Sequence, residues 1–377
     1  MEKLLYFDNN ATTQVDQRVL DAIIPFLTFQ FGNANSTHQF GIIANEAVKK
    51  SRAQVADLIG AEANEIVFTS GATEAINLAI KGIAESYSFK GKHIVTVSTE
   101  HPAVLDTCKN LESKGFEVTY LPVNTDGLVD LSLIERVLRE GTILVAVMLA
   151  NNETGVIQPI KAIAKLTHSV GAFFMSDATQ AVGKMTVNVE DLGVDLLCLS
   201  GHKFYAPKGI GALYLRGRTN RVQISSLLHG GGQENGLRSG TLNVPGIVGL
   251  GKASEIAKNE MKKDSKKISI LRDRLERELL KLPNVFINGS VQKRLYNVSN
   301  LCFPGIDANV LIGRMYNVAV SNGSACSTAS VEPSHVLKAM RLSDDDALAS
   351  IRFSFGKFNT EEEVTKALRI LQYLIKV

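Results

Sequence analysis

Short apolar runs alternate with amphipathic segments along the first two thirds of the chain. The runs have the length and the valine, isoleucine and leucine content of buried strands, and they lie at 65–69, 93–98, 116–121, 142–149, 171–176, 194–199 and 210–215. Helical periodicity predicts helices at 45–59, 73–86, 103–114, 130–139 and 161–170. Buried strands that alternate with helices indicate an α/β fold with a mostly parallel sheet and helices on both faces.

The composition of the chain changes after residue 251. Residues 252–281 are dense in lysine and glutamate, and apolar residues recur there at helical spacing, which predicts a long amphipathic helix. Short strands follow near 284–287, 297–303 and 351–355, and helices near 307–316 and 361–375. A chain of 377 residues favours two packed units. We therefore predict a large domain over 15–251 and a smaller α/β domain formed by 1–14 and 252–377.

Two polar side chains end apolar runs of the predicted sheet. Asp177 follows the run at 171–176, and Lys203 lies in the Ser-Gly-His-Lys turn that closes the run at 194–199. Ligands of such sheets bind beyond the carboxyl ends of the strands. A partly buried lysine can form a Schiff base with an aldehyde, and a carboxylate can pair with a pyridinium nitrogen. The pair predicts a pyridoxal phosphate (PLP) site.

Two further segments suit that chemistry. Residues 65–77 form a strand, a glycine turn and a helix start, where free N–H groups and the Thr73 hydroxyl can bind a phosphate. Taken alone, that segment is more typical of an ordinary N-capped turn between a strand and a helix. His101 follows the run at 93–98 and can lie on a flat ring or move a proton.

Six motifs occur in the order and at the spacing of a known family. They are Glu-His at 100–101, Asn-Asn-Glu-Thr-Gly at 151–155, Asp-Ala-Thr-Gln at 177–180, Ser-Gly-His-Lys at 200–203, Arg-Ser-Gly-Thr at 238–241 and Ser-Ala-Cys at 324–326. With them the chain resembles the cysteine desulfurases, PLP-dependent enzymes of the class-V aminotransferase group. The resemblance runs from about residue 6 to residue 354 and implies the PLP-dependent transferase fold of type I.

The resemblance assigns residues to the cofactor. Lys203 would hold PLP through its amine and move protons at the substrate Cα, and Asp177 would keep the pyridine nitrogen protonated. The residues that would bind the phosphate are Ala72, Thr73, Ser200 and His202, with Thr241 reaching the same group from the partner subunit of a homodimer. His101 would stack on the ring, and Gln180 and Asn152 would hydrogen-bond the ring oxygen and orient the substrate.

The resemblance also assigns a substrate clamp and a nucleophile. Arg352 would grip the carboxylate of L-cysteine through two N–H groups, a contact that lysine cannot reproduce. Cys326 would attack the substrate sulfur as a thiolate, leave L-alanine and an enzyme persulfide, and serve as a transient iron–sulfur ligand. It lies 26 positions before Arg352 in a segment of small polar residues, which is similar to the long, mobile loop class of the family.

The other cysteines and the composition narrow the range of functions. The four cysteines include no C-x-x-C pair, which argues against a disulfide framework or a zinc site. Cys198 and Cys302 lie in apolar runs and are predicted to be core residues, and Cys108 is predicted to lie on a helix face. With 41 basic and 38 acidic residues, the net charge of +3 favours neither nucleic acid nor a membrane surface as a partner.

The start of the chain lacks the apolar run of a secretory signal, and the strongest apolar run is far shorter than the ~20 residues of a membrane span. We expect a cytoplasmic protein that passes sulfur to an iron–sulfur scaffold or to another acceptor protein. Two enzyme alternatives remain, a class-V aminotransferase without need of Cys326 and a selenocysteine lyase. A non-catalytic assembly subunit on the same fold is a third alternative, and the presence of Lys203, Asp177 and Cys326 argues against it.

Overall fold

The computed structural model describes residues 4–217, 222–323 and 332–376. Its strands are β1 (Leu5–Tyr6), β2 (Ile66–Thr69), β3 (His93–Val97), β4 (Glu117–Leu121), β5 (Thr142–Ala146), β6 (Phe173–Asp177), β7 (Leu196–Ser200), β8 (Gly211–Leu215), β9 (Phe286–Ile287), β10 (Val298–Cys302), β11 (Val318–Ala319) and β12 (Ser350–Ser354). Its α-helices are α1 (Gln17–Thr28), α2 (Gln39–Ile59), α3 (Ala72–Tyr87), α4 (Pro102–Glu112), α5 (Leu131–Val137), α6 (Ile160–Ser169), α7 (Val189–Leu192), α8 (Val244–Leu279), α9 (Ala308–Arg314), α10 (His335–Ala339), α11 (Asp344–Leu348) and α12 (Glu361–Lys376).

A seven-stranded sheet in the order β2-β8-β7-β6-β5-β3-β4 forms the centre of the molecule. Strand β8 runs antiparallel to both of its neighbours, and the other pairs are parallel. Alternate residues of one strand enter different apolar clusters: Leu197 and Leu199 pack on one face, and Leu196 and Cys198 on the other. Both faces are therefore covered, and the predicted α/β fold with a mostly parallel sheet is confirmed.

The predicted run at 142–149 is longer than the strand that it contains. Strand β5 ends at Ala146, and the next residues run on beside β6. The N–H groups of Val147 and Leu149 donate to the carbonyl oxygens of Met175 and Asp177, at 3.1 and 2.9 Å. This extension holds the backbone of the strand end that carries Asp177.

Helix α8 begins at Val244 rather than at residue 252, where the sequence pattern placed its start. The apolar, glycine-containing stretch before residue 252 looks like the end of a domain, but its small residues let the helix pack closely. A Cβ on Gly249 would lie 2.8 Å from Pro207 Cδ, and one on Gly251 would lie 2.6 Å from Ser51. The boundary predicted at 251 falls inside this helix, and the division into two domains stays a prediction.

A separate apolar cluster joins the two ends of the chain. Strands β12, β10 and β9 form an antiparallel sheet, and β1 pairs in parallel with β11. Leu5 and Phe7 share this cluster with Leu271 and Leu275 of α8 and with Phe353 of β12. The N-terminal segment is thereby fixed next to the strands that carry Arg352. Over the described ranges, no helix combines the length and apolar character needed to cross a membrane.

Candidate active site

The predicted lysine and aspartate lie at the carboxyl ends of neighbouring strands, on the same side of the large sheet. This side is called the sheet edge below. Asp177 is the last residue of β6 and pairs with Cys198 of the parallel neighbour β7. Ser200 ends β7, and a 3₁₀ turn at Gly201–Lys203 follows it directly. Asp177 is buried, and its Oδ1 accepts a hydrogen bond from the N–H of Thr179 at 2.9 Å. The edge therefore presents a buried carboxylate, a hydroxyl and an amine together.

The amine of Lys203 is held by the N-terminal segment of the chain. Its Nζ donates to the carbonyl oxygens of Asn10 and Ala11, at 2.8 and 2.7 Å. Thr13 fixes the same turn, because its N–H and its hydroxyl both donate to the carbonyl oxygen of His202. The residues around position 10 thus close the site over the carboxyl edge of the sheet.

The start of helix α3 offers donors for an anion. The helix begins at Ala72 after Gly71, and no side chain caps its first N–H groups. A Cβ on Gly71 would lie 3.8 Å from Ser200 Oγ, so this hydroxyl faces the same turn. Thr73 is exposed in the first helical turn. Unpaired N–H groups and the helix dipole favour a phosphate at this place.

Burial changes the proton affinity of both predicted histidines. It lowers the pKa of His202 to about 4, and Lys203 and Lys208 act in the same direction. Burial also lowers the pKa of His101. The charge of the nearby Asp177 raises this pKa, and the charge of Lys203 lowers it. The Nδ1 of His101 accepts a hydrogen bond from the N–H of Ala103 at 3.1 Å, so the neutral ring carries its proton on Nε2. His101, Asp177 and Lys203 therefore lie within electrostatic reach of one another.

Arg352 lies deep in the molecule, on strand β12. It is only 5% exposed, its Nη2 pairs with Asp8 Oδ1 at 2.7 Å, and its Nη1 donates to the carbonyl oxygen of Asn152 at 3.1 Å. Its backbone pairs with that of Ser321, which leads into the segment 324–331. The carbonyl oxygen of Asn152 also accepts from the side chain of Asn10 at 3.0 Å.

Asn10 and Lys184 are residues at this site that the sequence reasoning missed. The carbonyl oxygen of Asn10 accepts from Lys203 and from Gln180 Nε2, and its Oδ1 accepts from Lys184 and Asn297. One asparagine thus links the sheet edge to the Arg352 side. No strand end precedes Asn10, and only its place in the N-terminal motif at 6–13 could have drawn attention to it. Lys184 follows Gln180 by four residues, so their proximity after the Asp177 motif is a signal that was available.

Glu153 is a third residue that was not assigned a role. It is fully buried, and burial raises the pKa of its carboxyl group. Its Oε2 accepts a hydrogen bond from Ser334 Oγ at 2.5 Å, and Gly323 lies against the same carboxylate. Residues on both sides of the segment 324–331 therefore contact the carboxylate of Glu153.

Two of the predicted site residues are not brought into this group. Thr241 is exposed, and no hydrogen bond or ion pair joins it to another predicted site residue within the described ranges. Its motif is anchored by Arg238, whose Nε donates to Glu74 Oε1 of α3 at 2.7 Å. Cys326, the predicted nucleophile and iron–sulfur ligand, lies outside the described residues.

The arrangement agrees with what comparison to known proteins finds. The model of the family described as Aminotransferase class-V matches residues 5–367. A cysteine desulfurase IscS from Haemophilus influenzae is 50% identical over 99% of this chain and 93% of its own length. One from Anaeromyxobacter sp. is 51% identical over 97% of this chain and 91% of its own length. The chain belongs to the cysteine desulfurases of the class-V aminotransferase family.

Solved structures support the same assignment for this cysteine desulfurase. A NifS-like protein superposes with a TM-score of 0.93 at 41% identity and covers 99% of this chain and all of its own. A NifS-like protein from Rickettsia africae gives a TM-score of 0.88 at 33% identity, over 99% of this chain and all of its own. The protein is therefore a PLP-dependent enzyme of fold type I, and the resemblance read from its motifs is confirmed.

The residues of the site fit a PLP group. The sheet edge supplies an amine, a buried carboxylate and an uncapped helix start, which suit the aldehyde, the pyridine nitrogen and the phosphate. Nine buried side-chain atoms have no hydrogen-bond partner among the described residues, and two of them, Thr179 Oγ1 and Arg352 Nε, belong to the Asp177 motif and to the predicted substrate clamp. Buried polar atoms are nearly always paired, so these two mark places where a bound molecule can complete the site.

Proposed function

We propose that this cysteine desulfurase takes sulfur from L-cysteine, releases L-alanine and carries the sulfur as a persulfide on Cys326. The burial of the other thiols is the observation that supports Cys326. Cys108, Cys198 and Cys302 are buried, and burial raises the pKa of each thiol, to about 12 for Cys108 and Cys302. A thiol is nucleophilic only as its thiolate, so these three are poor nucleophiles near neutral pH.

A solved relative supports cysteine as the substrate. The structure titled SspA in complex with cysteine has a TM-score of 0.83 and 38% identity, over 94% of this chain and 99% of its own. In this chain the buried guanidinium of Arg352 suits the carboxylate of an amino acid, since its two N–H edges match two carboxylate oxygens. Its pairing with Asp8 holds the group in place, and Asn152 lies beside it.

The proposed roles at the sheet edge follow from the donors and acceptors there. Bound PLP supplies an electron sink for the substrate Cα. Lys203 would hold that group through its amine and move a proton at Cα, and Asp177 would keep the pyridine nitrogen protonated. The N–H groups of Ala72 and Thr73 would bind the phosphate, with Ser200, His202 and the partner's Thr241 adding donors. His101 would stack on the ring, and Gln180 Nε2 would donate to the ring oxygen.

Sulfur transfer requires one bond to form as another breaks. The Cys326 thiolate attacks the sulfur of the bound substrate, and a sulfur–sulfur bond forms as the bond from Cβ to sulfur breaks. The electron pair of the broken bond stays with the substrate, whose Cβ takes up a proton, and the product leaves as L-alanine. The Nε2–H group of neutral His101 can donate a hydrogen bond at the site, and the imidazole acts as a proton donor only after it has taken up a second proton.

An exposed apolar surface supports a homodimer. Leu27 in the last turn of helix α1 and Phe29 and Phe31 after it are each more than 60% exposed, and the rings of Phe31 and Phe40 lie 5.5 Å apart. Large exposed apolar groups in one region are typical of a protein interface. We propose that a second copy of the chain covers them and that its Thr241 completes the phosphate site. The sulfur then passes, in the cytoplasm, to an iron–sulfur scaffold or another acceptor protein.

Absorbance and product analysis test this function. We expect the purified enzyme to show a visible band near ~420 nm and to release alanine from L-cysteine, while Cys326→Ser keeps the band and releases none. Cys302→Ser is the matched control and should keep full activity. Conversion of L-cysteine to its keto acid without loss of sulfur would favour the aminotransferase alternative, and a strong preference for selenocysteine would favour the lyase. Alanine release by Cys326→Ser would exclude Cys326 as the sulfur acceptor.

A further inference from the structure

A second lysine is buried next to the first. The side chain of Lys184 is 7% exposed, and its Nζ donates to Gln180 Oε1 at 2.5 Å and to Asn10 Oδ1 at 3.2 Å. Among the described residues, no carboxylate forms an ion pair with it. The charged groups that act on it are Lys203 and Arg352, both cationic. Buried lysines without a carboxylate partner are rare, because an ammonium group is costly to desolvate.

We propose that Lys184 is a positioning residue that holds the Gln180 amide in one orientation, with its NH₂ group directed at the ring oxygen of the cofactor. This inference rests on the role of Gln180 in the proposed function. The two residues are four apart in the segment of turns that follows Asp177, so the contact is local to that segment.

Two contacts fix the orientation of the amide. Gln180 Nε2 donates to the carbonyl oxygen of Asn10 at 2.9 Å, and a carbonyl can only accept. Gln180 Oε1 faces Lys184, which supplies N–H donors. Because both neighbours require the same assignment, the amide oxygen is held away from the site. Nε2 carries two hydrogens, and the one not directed at Asn10 is the donor for the cofactor.

The electrostatics of Lys184 agree with this role. Burial lowers the pKa of its amine well below the usual range, and Lys203 and Arg352 lower it further. A neutral amine has two N–H donors, which match the two acceptors that it contacts, Gln180 Oε1 and Asn10 Oδ1. Lys184 can therefore orient its neighbours without adding a third positive charge beside Lys203.

Loss of Lys184 changes the environment of the ring oxygen. The amide oxygen of Gln180 then has no donor, and the amide can rotate. Its oxygen would then face the ring oxygen in place of its NH₂ group, and the hydrogen bond to the ring oxygen would be lost. A hydrogen bond donated to an anionic oxygen stabilises the deprotonated form and lowers the pKa, so losing the bond raises it. The midpoint of the pH titration of the visible cofactor band reports this change directly.

A double-mutant cycle on the PLP-loaded enzyme without substrate tests the proposal. We expect Lys184→Met to raise the titration midpoint by about one pH unit, and Gln180→Leu to raise it by a similar amount. Lys184→Met should cause no further shift in the Gln180→Leu background. Lys184→Gln retains a donor for Gln180 and should restore most of the wild-type midpoint. Lys165→Met, at an exposed lysine of helix α6, is the matched control and should leave it unchanged.

The outcomes separate this inference from the function on which it rests. An equal shift from Lys184→Met with and without Gln180 would show that the lysine acts through its charge, and would overturn the proposal. So would an unchanged midpoint in Lys184→Met. An unchanged midpoint in Gln180→Leu would remove Gln180 from the proposed site and the inference with it. Thermal unfolding of each variant checks that the fold is retained.

Discussion

Two groups of side chains surround the site, and they are held in different ways. Asp177, Ser200 and Lys203 stand on adjacent parallel strands or on the turn that follows, so the backbone pairing of the sheet places them. Arg352 also stands on a strand, but its guanidinium is held by groups far away in sequence, the Asp8 carboxylate and the carbonyl oxygen of Asn152, which are 344 and 200 residues from it. The first group suits a cofactor that stays bound, and the second suits a substrate that comes and goes.

The largest effect is expected at the sheet edge. Lys203→Ala removes the amine that holds PLP and moves the substrate proton, so alanine release should fall more than about a thousandfold. Because the strands keep their pairing, thermal unfolding should change little. Lys208→Ala, an exposed lysine in the same segment, is the control and should retain activity. Wild-type turnover in Lys203→Ala would exclude this lysine from the chemistry.

A substitution at Arg352 should weaken the binding of L-cysteine and leave the binding of PLP unchanged. Arg352→Lys keeps the charge but loses the paired N–H donors, so kcat/KM for L-cysteine should fall about tenfold to a hundredfold. The visible band should persist, and the fall should lie mainly in KM. Arg369→Lys, an exposed arginine of helix α12, is the matched control. A lost band with unchanged KM would contradict the division between the two groups.

The same difference explains how much could be predicted from the sequence. Asp177 and Lys203 follow buried strands, a pattern that is visible in the chain, and parallel strands bring their ends together. Asn10 follows no such pattern, because its place depends on hydrogen bonds formed only once distant segments meet. Lys184 also follows no strand end, although its contact with Gln180, four residues before it, is local. Helix α8 was predicted to begin too late for a similar reason, since Gly249 and Gly251 reveal their close packing only in the folded chain.

A smaller effect concerns the partner subunit. If Thr241 completes the site of a second copy, chains carrying Lys203→Ala and Thr241→Ala should form one intact site per heterodimer. Random pairing of equal amounts should then give about a quarter of the wild-type activity. Co-expression followed by an alanine assay measures it, with each homodimer assayed separately. Activity equal to the average of the two homodimers would show that the sites are not shared.

The smallest effect is a change of stability with pH. Because burial lowers the pKa of His202 to about 4, below the ~6.5 of an unfolded histidine, the unfolded chain binds the proton first as pH falls. Its contribution to stability is therefore present above about pH 6.5 and is lost as pH falls toward 4. We expect the free energy of unfolding of the cofactor-free His202→Gln variant, measured with urea, to fall less between pH 7 and pH 5 than that of the cofactor-free wild type. The exposed His229→Gln should behave as wild type.

Mass spectrometry after brief exposure to L-cysteine tests the central claim most directly. The account predicts one additional sulfur on the peptide that contains Cys326, and none on the peptides of Cys108, Cys198 and Cys302, whose thiols are buried. Cys326→Ser should carry no additional sulfur while it still binds PLP. An extra sulfur on one of the buried cysteines, or none anywhere despite alanine release, would contradict sulfur transfer through Cys326.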